Sequence, residues 1–239
     1  MKILVVAATE AEISPLISEF GISILEFWGS VNLKERLAET DRLTVKSEIE
    51  HPISEIAALI TGVGMVATAF TLGKHLAANT YDLVVNLGIA GSFDRDIALG
   101  QVLEITEDTF SELGAENDDQ FLPIEELGFG KGTFYPTTEI SNLYNLFNTF
   151  NLKKARAITV NTVHGNEASI AKVAARLNPQ LESMEGAAFF YVCREMNVAC
   201  LQIRAVSNYV EKRNRDSWKI GLAIKNLNTF AIEFLKLYA

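Results

Sequence analysis

The chain is short of the residues that staple small folds. Cys193 and Cys200 are its only cysteines, and five prolines are spread over 239 residues. Two cysteines in apolar surroundings make neither a disulfide framework nor, by themselves, a zinc site. The three histidines, His51, His75 and His164, lack the H-x-x-x-H type of spacing, so the sequence argues against a bound metal. His51 and His75 read as surface residues. No run approaches the roughly 18 uninterrupted apolar residues of a membrane span. The N-terminal MKILVVAATE holds one basic residue and a short apolar run before it turns acidic, too short for a secretory signal. The expected address is the cytoplasm. Basic charge is also in deficit, with 21 Lys and Arg against 30 Asp and Glu and a formal net charge of −9. That balance argues against nucleic acid or an anionic membrane as partner. It leaves room for a small anionic substrate in a locally basic pocket.

Apolar residues are plentiful. They make up 49% of the chain against 21% charged, which excludes a disordered polymer. A chain of this length buries on the order of 70–75% of its unfolded surface, enough for a core without staples. No repeat, low-complexity tract or Pro/Ser-rich linker divides it, so one domain over residues 1–239 is expected.

Lys2–Ala8 is a continuous Ile/Val-rich run, as in a strand buried on both faces. Thr9 then opens a helix with Ile13, Leu16, Ile17 and Phe20 on one face. Residues 22–55 read as two or three short strands, with Pro52 at an edge or turn. Ile56–Thr61 and Leu83–Leu87 are further buried strands, separated by a helix from the Gly62-Val63-Gly64 turn to about Asn79. Gly100–Thr106 reads as a strand, and 111–136 as a long acidic, Gly-rich loop. Strands are expected at Ala157–Val163 and Ala199–Val206, and helices at 166–177 and Ala187–Met196. Asp216 is placed to cap a last helix to about Tyr238, with Trp218, Leu222, Leu227, Phe230 and Phe234 toward the core. The alternation indicates an α/β fold, a mixed twisted sheet flanked by helices.

Several motifs carry a possible chemistry. Gly62-Val63-Gly64-Met65-Val66-Ala67 fits G-x-G-x-x-G/A between a strand and a helix. A dinucleotide site also needs an acid ending the next strand, and Asp82 precedes that strand instead. A tight strand–helix turn is the preferred reading, and a non-catalytic nucleotide-binding module the minor rival. Gly128–Thr133 fails as a phosphate loop, because Glu125 stands where a Walker A motif needs glycine. Thr9-Glu10-Ala11-Glu12 is a capping box, and taken alone it makes Glu12 structural. Glu12 would also lie at the carboxyl end of a strand, where open α/β sheets bind ligands. There the helix N-terminus favours an ionised carboxylate, the form a general base needs. Met184-Glu185 offers a ribose an acceptor beside an apolar side chain. Arg204 lies on an apolar strand, costly unless paired, which suggests a site or a partner carboxylate. His164, just past a strand, is within reach of a ligand at the same rim.

Taken together, VVAATEAE (5–12), TGVGM (61–65), NLGIAG (86–91), SMEGA (183–187) and RAVSN (204–208) resemble the purine nucleoside phosphorylase/nucleosidase family over nearly the whole chain. The resemblance is nearer to the family's N-ribosyl hydrolases, such as the methylthioadenosine/adenosylhomocysteine nucleosidases. It implies that Glu12 activates water, that Met184 and Glu185 hold the ribose, and that Arg204 lies near the water and the sugar hydroxyls. It further implies substrate contacts at Ile89, Val163, His164 and Ser207, no cofactor, a small nucleoside substrate, and a homodimer or higher homo-oligomer. Phosphorolytic relatives carry arginines for phosphate. No Arg occurs before Phe27 or between Arg42 and Arg95, which favours water as nucleophile.

Two departures bear on the base. Adenine-cleaving members have Ser-Asp where this chain has Ser207-Asn208, and a Phe where it has His164. A carboxyl oxygen accepts from the adenine N6 amino group. An amide has two N–H donors suited to the O6 and N7 acceptors of a 6-oxopurine. A wrong pairing leaves buried groups unpaired at roughly 1–3 kcal/mol each. Asn208 therefore points to hypoxanthine or guanine. The following Tyr209–Arg213 run and Trp218 resemble the branch whose substrate carries an aryl carboxylate beyond the ribose. Lys212, Arg213 and Arg215 are the cations available to meet it, and a solvated basic loop is the equal alternative reading of them.

Overall fold

The structure is a computed structural model that describes residues 1–22, 24–25, 55–137 and 149–238. The strands and turn expected within 22–55, with Pro52 and His51, lie outside the described residues. The exceptions are Ile24, which bridges Ala58, and the start of the second strand.

Ten strands are described. They are β1 (Lys2–Ala7), β2 (Glu55–Ile60), β3 (Leu83–Ser92), β4 (Val102–Phe110), β5 (Gly114–Asn117), β6 (Gln120–Pro123), β7 (Thr133–Phe134), β8 (Lys153–Thr159), β9 (Leu181–Ser183) and β10 (Cys200–Tyr209). The helices are α1 (Glu10–Phe20), α2 (Met65–Leu76), α3 (Glu167–Leu177), α4 (Gly186–Glu195) and α5 (Ile220–Lys236). β1 runs parallel between β2 and β3, and β10 runs parallel to β3 on its other edge. β10 then pairs antiparallel with β4, β4 parallel with β8, β8 parallel with β9, and β9 antiparallel with the end of β3. These five pairings close a ring, β3–β10–β4–β8–β9, from which β1 and β2 extend as an open wing. The expected mixed α/β sheet is what the chain builds.

Alternation along β1 shows why its sequence is uniformly apolar. Successive side chains in a strand point to opposite faces. Ile3, Val5 and Ala7 pack with Ile13 and Leu16 of α1 and Leu227, Phe230 and Phe234 of α5. Leu4 and Val6 pack with Leu72 of α2 and Phe189, Phe190 and Val192 of α4. Both faces are covered, so neither tolerates polar residues.

Three expectations change. Residues 111–136 are not one long loop: β5 and β6 form a hairpin, and the Gly132 N–H donates to Glu125 to close the turn that follows. The last helix begins at Ile220, because Asp216 sits in a short 3-10 turn capped by Asn214 instead. Leu222 therefore faces solvent at 43% exposure, while Leu227, Phe230 and Phe234 are buried as expected. His75 is buried, its Nε2 2.8 Å from the Tyr81 hydroxyl.

Candidate active site

The ends of β1, β2, β3 and β10 meet, and most of the residues singled out in the sequence meet with them. Glu12 keeps its capping role: its Oε2 accepts from the Thr9 N–H at 2.9 Å and the Thr9 hydroxyl at 3.0 Å. The same side chain is 9% exposed, and its Oε1 accepts from the Ile89 N–H at 3.3 Å. Capping and site are therefore not alternatives. The cap fixes one oxygen and turns the other toward the ends of β3 and β10. Burial pushes the Glu12 carboxyl above its ordinary range, and the charge of Glu185 pushes the same way. Arg204 and the Thr9 and Ile89 N–H groups oppose the shift without cancelling it. The helix N-terminus was expected to hold Glu12 ionised; desolvation outweighs it.

Arg204 is 1% exposed. Its Nε donates to Gln202 Oε1 at 3.1 Å and its Nη2 to Asn86 Oδ1. The expected carboxylate is not hydrogen-bonded to it, and two amide oxygens hold the guanidinium instead. Beyond them, Asp108 accepts from Gln202 Nε2 at 3.2 Å and from the Thr159 hydroxyl at 2.8 Å. That hydroxyl accepts in turn from the Ala187 N–H at 2.7 Å. Asp108 is fully buried, and burial raises its carboxyl to about 7. The chain Asn86–Arg204–Gln202–Asp108–Thr159 thus ties β3, β10, β4 and β8 to the first turn of α4.

Glu185 stands at the start of α4 but does not cap it. Its Oε1 accepts from the Gly64 N–H at 3.0 Å and its Oε2 from the Met184 N–H at 3.2 Å. Gly64 has φ +97°, a backbone only glycine adopts readily, and this turns its N–H toward Glu185. The G-x-G turn is explained by that contact. Asp82, the acid a dinucleotide would require, accepts from the Lys2 N–H at 2.7 Å.

Asn208 lies just past a register shift between β10 and β3, and such a bulge re-aims side chains. Its Oδ1 accepts from the Ser207 hydroxyl at 2.8 Å, and its Nδ2 donates to the Tyr209 carbonyl at 3.0 Å. The carbonyl dictates which end of the amide is nitrogen. It also commits one of the two expected donors, so one N–H remains for a ligand. Ser207 Oγ lies 3.2 Å from the Ala90 carbonyl. Met184 and Val163 pack with Phe93 against Ile158, Val160 and Val173. The His164 ring meets Phe93 edge-on at 6.3 Å and reaches Glu182. Arg213 and Arg215 stack over Trp218, and the Arg213 N–H donates to the Gly165 carbonyl.

Sequence reasoning missed Asn86, Gln202, Asp108 and Glu182. For Asn86 and Gln202 one signal was available: each is a polar residue inside an otherwise apolar buried strand, an expensive placement without a partner. Asp108 lies in a strand rich in acids and threonines, and Glu182 in a strand of three residues, so neither stands out.

The family model of the phosphorylase superfamily matches residues 2–237. The chain belongs to that superfamily. Within it, the chain is 34% identical to the futalosine hydrolase of Streptomyces coelicolor over 175 residues, 71% of this chain and 74% of that protein. The native structure of futalosine hydrolase from Helicobacter pylori superposes with a TM-score of 0.73 at 17% identity, over 99% of this chain and 96% of that one. A methylthioadenosine/adenosylhomocysteine nucleosidase from Colwellia psychrerythraea, solved with adenine, gives 0.70 at 20% identity, over 100% and 96%.

Proposed function

We propose that this chain is a cytoplasmic N-ribosyl hydrolase that splits futalosine into hypoxanthine and dehypoxanthine futalosine, a step of menaquinone biosynthesis. Glu12 takes a proton from a water facing the anomeric carbon. Its raised carboxyl suits the role, since a general base works best with a pKa nearer the working pH. Glu185 accepts from the ribose hydroxyls, and its charge favours the developing oxocarbenium ion. Arg204 holds the water and a sugar hydroxyl near Glu12. Asn208 donates its free N–H to the base as the N-glycosidic bond breaks. An amide cannot protonate N7, so the base leaves with anionic character that the 6-carbonyl delocalises.

The observation that carries the choice of base is the Asn208 amide, whose nitrogen end is fixed by the Tyr209 carbonyl and keeps one N–H uncommitted. It presents a donor where adenine would need an acceptor. The relation to the Streptomyces coelicolor futalosine hydrolase supports the same reading. The test is chromatographic. Purified protein releases hypoxanthine from futalosine in phosphate-free buffer. Release of adenine from methylthioadenosine with futalosine untouched would make it an adenine nucleosidase, and strict phosphate dependence a phosphorylase.

The active form is proposed to be a homodimer. Val66 and Phe70 of α2 are 77% and 67% exposed, and Phe129 is 79% exposed on the same apolar groove. Val66 is two residues from Gly64, so a second copy on this face closes the ribose end of the site. Light scattering on the wild type and on Phe70→Glu, expected as dimer and monomer, tests this.

A further inference from the structure

Glu182 and His164 form a polar couple that the reading above leaves unused. Three neighbouring strands set it beside Asn208. Asn208 on β10 pairs with Gly91 on β3, and Gly91 pairs with Glu182 on β9. Cross-strand partners share a face, and Gly91 contributes no side chain between them. A Cβ there would lie 3.0 Å from Val210 Cγ2, 3.2 Å from Asn208 Nδ2 and 3.5 Å from Glu182 Cγ. The two polar side chains and Val210 all approach this one backbone position.

Glu182 is 3% exposed, and both its oxygens serve His164. Oε1 accepts from the His164 backbone N–H at 3.0 Å, and Oε2 lies 2.7 Å from Nδ1. With the hydrogen of this contact on Nδ1, Nε2 of that tautomer is an acceptor. Nε2 makes no hydrogen bond among the described residues, where no side-chain nitrogen or oxygen is both fully buried and unpartnered. It therefore opens onto accessible space.

We propose that the Glu182–His164 couple is the second half of the base-reading edge. His164 Nε2 accepts the N1–H of a 6-oxopurine while Asn208 donates its remaining N–H to O6. The inference rests on the reading of this site as a purine nucleosidase and adds the device that selects the base. A 6-aminopurine inverts both contacts: its N1 is an acceptor facing Nε2, and its amino group is a donor facing Asn208. Each mismatch leaves a site group unpaired, and sites built on such hydrogen bonds reject the wrong partner strongly. His164 touches the base. Glu182 is a positioning residue that fixes the ring and its tautomer.

The experiment compares kcat/KM for futalosine and for its 6-amino analogue, with calorimetric binding of free hypoxanthine and adenine alongside. The wild type prefers the 6-oxopurine in both measurements. His164→Phe, which cannot accept, lowers that preference at least tenfold. Glu182→Gln lowers it too, because an amide no longer dictates the tautomer. His164→Gln, which keeps an acceptor, retains part of it. Variants that slow both substrates equally and leave the base preference intact overturn the proposal. A wild type that releases neither base overturns the proposed activity instead. Base binding then still decides this inference: hypoxanthine preferred in the wild type and lost in His164→Phe upholds it, and no preference refutes it.

Discussion

The guanidinium of Arg204 occupies the space a side chain on Gly88 would fill. A Cβ on Gly88 would lie 2.0 Å from Arg204 Nη1 and 3.2 Å from Glu12 Oε1. The glycine of NLGIAG is thus the seat of a buried cation beside the candidate base. Gly88→Ala forces Arg204 away from Asn86 and Gln202, or shifts β3. The expected result is a loss of about 1–3 kcal/mol of stability, the range for overpacking, with a fall in kcat exceeding any rise in KM. Urea melts and steady-state kinetics check both. A variant with wild-type kcat would show that the position of Arg204 does not matter.

Glu12→Gln separates the two roles of one side chain. A glutamine oxygen still accepts from Thr9, so the α1 cap survives, while its amide nitrogen faces the Ile89 N–H and lowers the melting temperature modestly without unfolding the chain. The proton acceptor is gone, and turnover falls by about 10²–10⁴-fold, the usual contribution of a general base. Near-normal turnover would return Glu12 to a purely structural role.

The pH–rate profile should carry the same signature. Glu12 must be ionised to take a proton, so activity is present above its folded-state pKa and lost as pH falls through it. Burial raises that value above the ordinary 4.5. The acid limb of kcat/KM is therefore expected above pH 4.5. A limb at or below that pH contradicts the assignment.

Asp108 predicts a stability effect that does not depend on activity. Its carboxyl is raised from 3.8 to about 7 by burial, so the folded state holds a proton that the unfolded state has released. The stabilising contribution is full below about pH 4 and is lost as pH rises through about 7, on the order of a few kcal/mol. Asp108→Asn should flatten that slope. Its amide also meets the Gln202 Nε2 donor, so Gln202 must turn and withdraw its oxygen from Arg204. Denaturation midpoints between pH 4 and 8 test the slope, and an unchanged slope rules out Asp108 as its source.

Legibility followed locality. The β1 and β3 runs were readable because burial on both faces leaves them almost wholly apolar, with Asn86 the polar interruption inside β3. The Thr9–Glu12 cap was readable because it is contained in four consecutive residues. The 111–136 segment was misread because its hairpin is short and weakly apolar, so no alternation marks its strands. The start of α5 was misplaced because Asn214 caps a short local turn that takes in Asp216, and the helix begins only at Ile220.

The sequence by itself determined the fold class, the acidic balance and the motif residues Glu12, Met184-Glu185, Arg204 and Ser207-Asn208. Composition and period set the first two, and the motif residues stand out through short runs that resemble the family. Only the tertiary structure decided their partners. Gly64 turns its amide to Glu185 across 121 positions, Asn86 meets Arg204 across 118, and Gly91 brings Asn208 beside Glu182. Hydrogen-bond geometry and desolvation depend on what lies within a few ångströms in space, and strand register fixes that. The same tertiary packing raised the Glu12 carboxyl that its helix end alone would have kept low.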